Sequence, residues 1–183
     1  MIGSRIAVAS VALLAGAAVA QPAPHGATGA IAERILAAHN RERAAVGAPP
    51  LQWDATLAEH AASYGPVLAS LRHLVHSPRD GRPGERENLA MAWHGTLSPE
   101  DLVAMWSRER QLLEPGSYLF PGNSRTGRWE DIAHYTQMVW PTTTHVGCAI
   151  YPADWDYLIC RYSPPGNKDG KPIFVTAVYA QGL

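Results

Sequence analysis

The sequence predicts an α+β domain, because helical periodicity recurs through the first two-thirds of the chain while strand alternation and a hairpin signal occupy the last third. The length of 183 residues is enough for one substantial core and too short for two comfortable ones.

The N-terminus reads as an export signal. Arg5 supplies a positive n-region, residues 6–16 an apolar run and Ala18-Val-Ala20 a small-residue cleavage site, so residues 1–20 are expected to be removed. A membrane helix is the competing reading. The run is short and alanine-rich, however, and no second hydrophobic span follows, so the mature chain is expected to have no transmembrane segment. Residues 21–29 then form a lead-in and 30–183 the domain, secreted or periplasmic and expected to be a monomer. The formal net charge is −1 and no basic stripe exists, which argues against a nucleic-acid partner. Export makes Cys148 and Cys160, the only two cysteines, candidates for a disulfide instead of a redox or metal pair.

Residues 31–46 have a helical pattern that Gly47, Pro49 and Pro50 stop. Leu36, Asn40 and Arg43 share one stripe, so the two polar residues are expected to tie this helix to neighbouring loops through buried hydrogen bonds. Asp54 can cap a second helix whose stripe is Leu57, Ala61, Tyr64, Leu68 and Leu71, kinked at Gly65-Pro66 and ending near His73. His73 and His76 have an H-x-x-H spacing, weak evidence for a metal when set against ordinary surface histidines at a helix C-terminus. Residues 78–84 form a charged loop, after which Glu87 leads into an apolar run and reads, taken alone, as an exposed loop carboxylate.

Ser98-Pro-Glu-Asp101 combines a capping serine, proline at the first helical position and acids in the first turn, so a third helix is expected to run from there to Glu114-Pro-Gly116. Glu109 lies in line with Leu102, Trp106 and Leu113 on its apolar face, where a carboxylate requires a specific partner. His134-Tyr-Thr-Gln-Met-Val-Trp140 is rich in β-branched and aromatic residues and reads as a buried strand with a histidine at its entry. Residues 145–151 and 157–162 read as a hairpin around a five-residue loop. If Tyr151 and Tyr157 flank that loop as a pair, Cys148 falls opposite Cys160. Ser163-Pro-Pro-Gly-Asn167 turns the chain out of the sheet, and residues 173–179 offer a last strand.

Taken together, these segments resemble the CAP superfamily of cysteine-rich secretory, antigen 5 and pathogenesis-related-1 proteins, also called the SCP domain, as a single-domain secreted member of bacterial type. Two signatures of that family look like His134-Tyr-Thr-Gln-Met-Val-Trp140 and Cys160-Arg-Tyr-Ser-Pro-Pro-Gly-Asn167. Supporting matches are Ala38-His-Asn-Arg-Glu-Arg43, Pro50-Leu-Gln-Trp53, Glu87-Asn-Leu-Ala90, Trp106-Ser-Arg-Glu109 and His145-Val-Gly-Cys-Ala149. Ala133 and Arg86 stand where the family usually has glycine, and the chain has fewer cysteines than plant and animal members.

The resemblance implies a three-layer α-β-α sandwich around a mainly antiparallel sheet, and a cleft in which His76, Glu87, Glu109 and His134 converge. Two confined carboxylates are made compatible by protons, imidazolium partners or a divalent cation. In the arrangement that fits best, His76 and His134 hold a metal such as zinc while the acids orient them. The implied function is binding of a lipid, a sterol or another small hydrophobic ligand. The alternative is a metal-dependent hydrolase or peptidase using the same four residues, with Ser77 beside His76 as a helper.

Overall fold

The computed structural model describes residues 26–27 and 29–174. The expected signal, most of the lead-in and the last strand beyond Phe174 lie outside the described residues. Among these, four α-helices and four strands follow one another as α1 (Gly29–Ala45), β1 (Gln52–Trp53), α2 (Ala55–Leu71), β2 (Arg86–Trp93), α3 (Pro99–Ser107), α4 (Ala133–Val139), β3 (His145–Pro152) and β4 (Trp155–Ser163). Two short 3-10 helices, Arg108–Leu112 and Trp129–Ile132, precede α4.

The strands form one sheet in the order β1-β3-β4-β2, parallel between β1 and β3 and antiparallel elsewhere. Alternation along β4 explains the layering. Leu158, Cys160 and Tyr162 enter the core shared with α1, α3 and α4, while Tyr157 and Ile159 enter a second core under α2. The result is the three-layer α-β-α sandwich, with β2 at one edge.

Local chemistry accounts for the helix ends. The Asp54 side chain accepts from Leu57 N, and α2 stops where Arg72 turns left-handed at φ 59°. Ser98 and Asp101 form a reciprocal capping box, with proline in the first turn of α3. Asn40 bonds both N and O of Leu51, and Arg43 donates to four loop and helix-end carbonyls, so both polar residues of α1 serve as ties. The packing of α2 on the sheet depends on Gly147, since a Cβ there would meet the backbone of Asp54 and Ala58.

Several local expectations are corrected. The third helix changes to 3-10 geometry after Ser107 instead of running to Glu114. The β3–β4 loop is shorter than expected, because pairing extends to Pro152↔Asp156, whereas the single helix expected across Gly65-Pro66 is present as α2 (Ala55–Leu71). The register itself is as expected: Tyr151 pairs with Tyr157 and Cys148 with Cys160, and these cysteines form a disulfide.

The largest correction is at residues 134–140, where 134–139 belong to helix α4 (Ala133–Val139) and Trp140 is its C-cap, so the expected strand does not form. Two charged side chains from elsewhere hold this seven-residue helix at its ends. At the N-terminus, Glu109 Oε2 accepts from His134 N and Tyr135 N, both at 2.9 Å. At the C-terminus, Arg43 donates to Met138 O and Trp140 O at 2.9 and 3.0 Å. An acid at the positive end and a base at the negative end match the helix dipole and satisfy backbone groups that a helix leaves open. Tyr135, Met138 and Val139, at helical spacing, then fill the core.

Candidate functional site

A cleft of about 830 Å³ opens where the layers separate at the start of edge strand β2. His76 reaches it from the loop after α2 and His134 from the first turn of α4, where His134 and Gln137 lie one helical turn apart. Phe120, Pro121 and Trp129 give the cleft an apolar wall.

Each histidine is paired with a glutamate through Nδ1. His76 Nδ1 lies 2.8 Å from Glu87 Oε1, and His134 Nδ1 lies 2.6 Å from Glu109 Oε1. A carboxylate there accepts, so each Nδ1 carries a proton, and in the neutral ring Nε2 keeps its lone pair on the opposite edge. Trp106 stacks on the His134 ring at 6.0 Å and 12°, and its indole N–H is held by Leu89 O at 3.0 Å, so the ring's orientation is braced from behind.

The expectation of an exposed Glu87 is corrected, since its side chain is fully buried. Strand β2 carries it inward, opposite Arg161 in the register. Arg161 Nη2 lies 2.8 Å from Glu87 Oε2, and Ser77 donates to Glu87 from both N and Oγ at 2.9 Å. Burial alone pushes the Glu87 carboxyl up, but the contacts with His76, Arg161 and Ser77 outweigh it and hold the group below the usual carboxylate range. Arg161 also pairs with Glu85 at 3.3 Å, and Glu85 in turn meets His60 at 2.6 Å.

Behind His134 a second network crosses the opposite core. His39 Nδ1 lies 2.8 Å from Ile35 O, so it donates, and Nε2 accepts from Tyr162 OH at 2.8 Å. Asn88 donates from one amide nitrogen to that same hydroxyl and to His134 O. Burial lowers the His39 pKa to about 4, which leaves the ring neutral at pH 7. On the far side of α4, Asn167 bonds Ala133 O and Thr136 Oγ1, both at 2.8 Å. Gly166 N is held by Gln137 Oε1 at 3.0 Å, where a Cβ would come within 2.6 Å of Trp140.

All four expected site residues are thus placed as two His–Glu pairs, three of them lining the cleft and Glu109 standing behind His134. His73 is not part of this arrangement, its Nδ1 bonding Leu71 O. Arg161 and Asn88 were missed by sequence reasoning. The available signal was a charged residue between two apolar strand positions, Cys160 and Tyr162, which requires an acid across the sheet. Among the described residues no group of three or more His, Cys, Asp or Glu side chains is arranged to hold a metal, so a cation in the cleft would have only the two imidazoles as protein nitrogens.

An α-β-α sandwich with a histidine–carboxylate cleft at the sheet edge is the architecture of a CAP domain. The chain belongs to that family: residues 36–162 match CAP, the cysteine-rich secretory protein family. It is 38% identical over 138 residues to pathogenesis-related protein 1C of Nicotiana tabacum, covering 74% of this chain and 76% of that protein. Over 137 residues it is 36% identical to a PR-1 type pathogenesis-related protein of Sambucus nigra, covering 73% and 76%. Plant relatives of this kind give the expected bacterial type no support. Among solved structures, BmVAL-1 superposes with a TM-score of 0.67 at 23% identity, covering 84% of this chain and 86% of that one. The crystal structure of NaASP2 with Zn2+ superposes with a TM-score of 0.66 at 24% identity, covering 80% and 86%. At these identities the likeness establishes the fold. No helix among the described residues is long and apolar enough to cross a membrane.

Proposed function

We propose that this chain is a secreted PR-1-like binding domain whose cleft takes a divalent metal, zinc by preference, on His76 and His134, together with a small amphipathic or lipid-like ligand. The observation that carries this reading is the pair of Nδ1–carboxylate contacts, 2.8 Å at His76 and 2.6 Å at His134, which fix both tautomers with Nε2 free at one cleft. This donor set fits zinc, which favours neutral imidazole and tolerates water in the remaining positions. Bound there, the cation would supply a Lewis-acidic attachment point for an anionic ligand oxygen. NaASP2, crystallised with Zn2+, has the same fold, and that fact is NaASP2's own. The apolar wall of Phe120, Pro121 and Trp129 supports an amphipathic ligand. Export and a monomeric state complete the proposal, and the family's secretory character supports the first.

The hydrolase alternative is less well supported by the geometry. Glu87 is fully buried and already accepts from His76, Ser77 and Arg161, while Glu109 is occupied by two backbone N–H groups and His134. Neither carboxylate is free to act as a general base on a cleft-bound substrate. The Ser77 hydroxyl donates to Glu87 Oε2, so Ser77 supports the acid and is not poised as a nucleophile. Mass spectrometry of organic extracts from the purified secreted protein, run beside a peptidase and esterase screen with and without a chelator, tests the reading. A co-purifying amphiphile without chelator-sensitive turnover supports it, and chelator-sensitive hydrolysis contradicts it.

A further inference from the structure

The cleft also carries cations that no carboxylate holds. Arg79, Arg82, Arg86 and Lys168 line it together, and among the described residues none of the four takes part in an ion pair. Arg82 is only 7% exposed; it donates from Nε to Ser77 O at 3.1 Å and from Nη1 to Glu85 O at 3.3 Å. Arg86 donates from Nε to Gly166 O at 3.1 Å and from Nη2 to Asn167 O at 3.4 Å. Carbonyl partners fix where each guanidinium points without neutralising it, and they leave N–H groups of both forks without a partner among the described residues.

The electrostatic cost is visible on both groups. Burial lowers the Arg86 pKa, and the like charges of Arg79 and Arg82 add to it against Asp169. Burial lowers Arg82 as well, with Arg161 and Arg79 adding to it against Glu87 and Glu85. Those two acids are already bound to Arg161, leaving Asp169 on this wall and Glu130 across the cleft as the other lining acids. Arg86 thus brings a charged fork to the cleft from the first position of β2.

We propose that Arg82 and Arg86, supplemented by Arg79 and Lys168, form an oxyanion subsite that takes the phosphate group of the cleft's ligand. Two guanidinium forks and an ammonium offer more donors and more charge than one carboxylate requires, whereas a phosphate dianion has the oxygens to use them. The facing apolar residues Phe120, Pro121 and Trp129 would accept the rest of the molecule. This inference rests on the reading of the cleft as a ligand site, but not on its metal.

Titration of the full chain with inorganic phosphate by calorimetry, at low ionic strength and with a chelator present, tests it. Saturable binding is expected, weakened about tenfold by Arg86→Gln and tightened by Asp169→Asn, both with unchanged thermal melting. Lys168→Ala, at an exposed loop position, provides a second loss-of-charge variant with little risk to folding. Absence of phosphate binding, or equal affinity in Arg86→Gln, Lys168→Ala and the parent, overturns the subsite. The same titration in His134→Ala separates the two claims: phosphate binding retained with zinc binding lost supports both, whereas a parent chain that binds zinc through His134 but takes no phosphate removes only the subsite. Co-sedimentation with phosphatidylcholine vesicles, with and without phosphatidic acid, identifies the source of the phosphate. Arg86-dependent capture on the phosphatidic acid vesicles assigns a lipid headgroup, and phosphate binding without capture assigns a soluble phosphate ester.

Discussion

Glu109 has two jobs that a single carboxylate performs at once. Its Oε2 closes the N-terminus of α4 by accepting from His134 N and Tyr135 N, and its Oε1 accepts the Nδ1 proton of His134. A glutamine can retain the first with its carbonyl oxygen, but its NH2 group then faces Nδ1. His134 must move its proton to Nε2 to accept from that amide, which removes the lone pair a metal needs. Glu109→Gln is therefore expected to fold, with stability reduced by about 1–2 kcal/mol, and to lose at least about tenfold in zinc affinity. Nitrogen NMR of the imidazole reads the tautomer directly. An unchanged Nδ1–H tautomer together with unchanged zinc affinity would show that Glu109 only caps the helix.

Helix α4 shows which parts of the structure were legible in the sequence and which were not. Its residues favour a strand by composition, and seven positions are too few for helical periodicity to assert itself. What makes them helical is long-range: an acid from the 3-10 segment at one end and Arg43 from α1 at the other. Glu87 was misjudged for the same reason, because its partner Arg161 is supplied by a different strand. By contrast, Asp54, the Ser98–Asp101 box and the β3–β4 register depend on near neighbours and could be read directly. The need of Glu109 for a partner was legible from its place on an apolar stripe, whereas the identity of that partner came only with the family resemblance.

The helix-end account predicts a large cost for removing Arg43. Arg43→Met fills similar volume but leaves the carbonyls of Met138, Trp140 and Thr143 without their donor in a buried setting. Urea unfolding should show a loss of about 3 kcal/mol or more. A loss below about 1 kcal/mol would mean that α4 is held by its packing alone.

At the scale of the whole molecule, two polar networks on opposite faces of the sheet converge on one cleft and couple the site to folding. His39, in the network behind His134, is held neutral with its pKa lowered from 6.5 to about 4 by burial. The unfolded chain binds that proton near pH 6.5 and the folded chain only near pH 4, so stability contributed by the neutral ring is full above 6.5 and falls as pH drops towards 4. The loss should approach about 3 kcal/mol at the acid end of this window. His39→Gln should flatten that part of the stability–pH curve, as read by urea midpoints; an equally steep curve in the variant would assign the acid sensitivity to other groups.

The central claim is that His76 and His134, each oriented by a glutamate, hold a metal between the two layers. Calorimetric titration of zinc at neutral pH tests it most directly, on the parent chain, His76→Ala, His134→Ala and the double substitution. The account predicts one reversible site in the parent, weakened by acid because protons compete for the same nitrogens. It predicts that either substitution abolishes the site while the thermal transition in the presence of chelator stays close to that of the parent, because the metal is not structural. Unchanged zinc binding in the double substitution would contradict the account and leave the two His–Glu pairs as a hydrogen-bonded frame for the cleft.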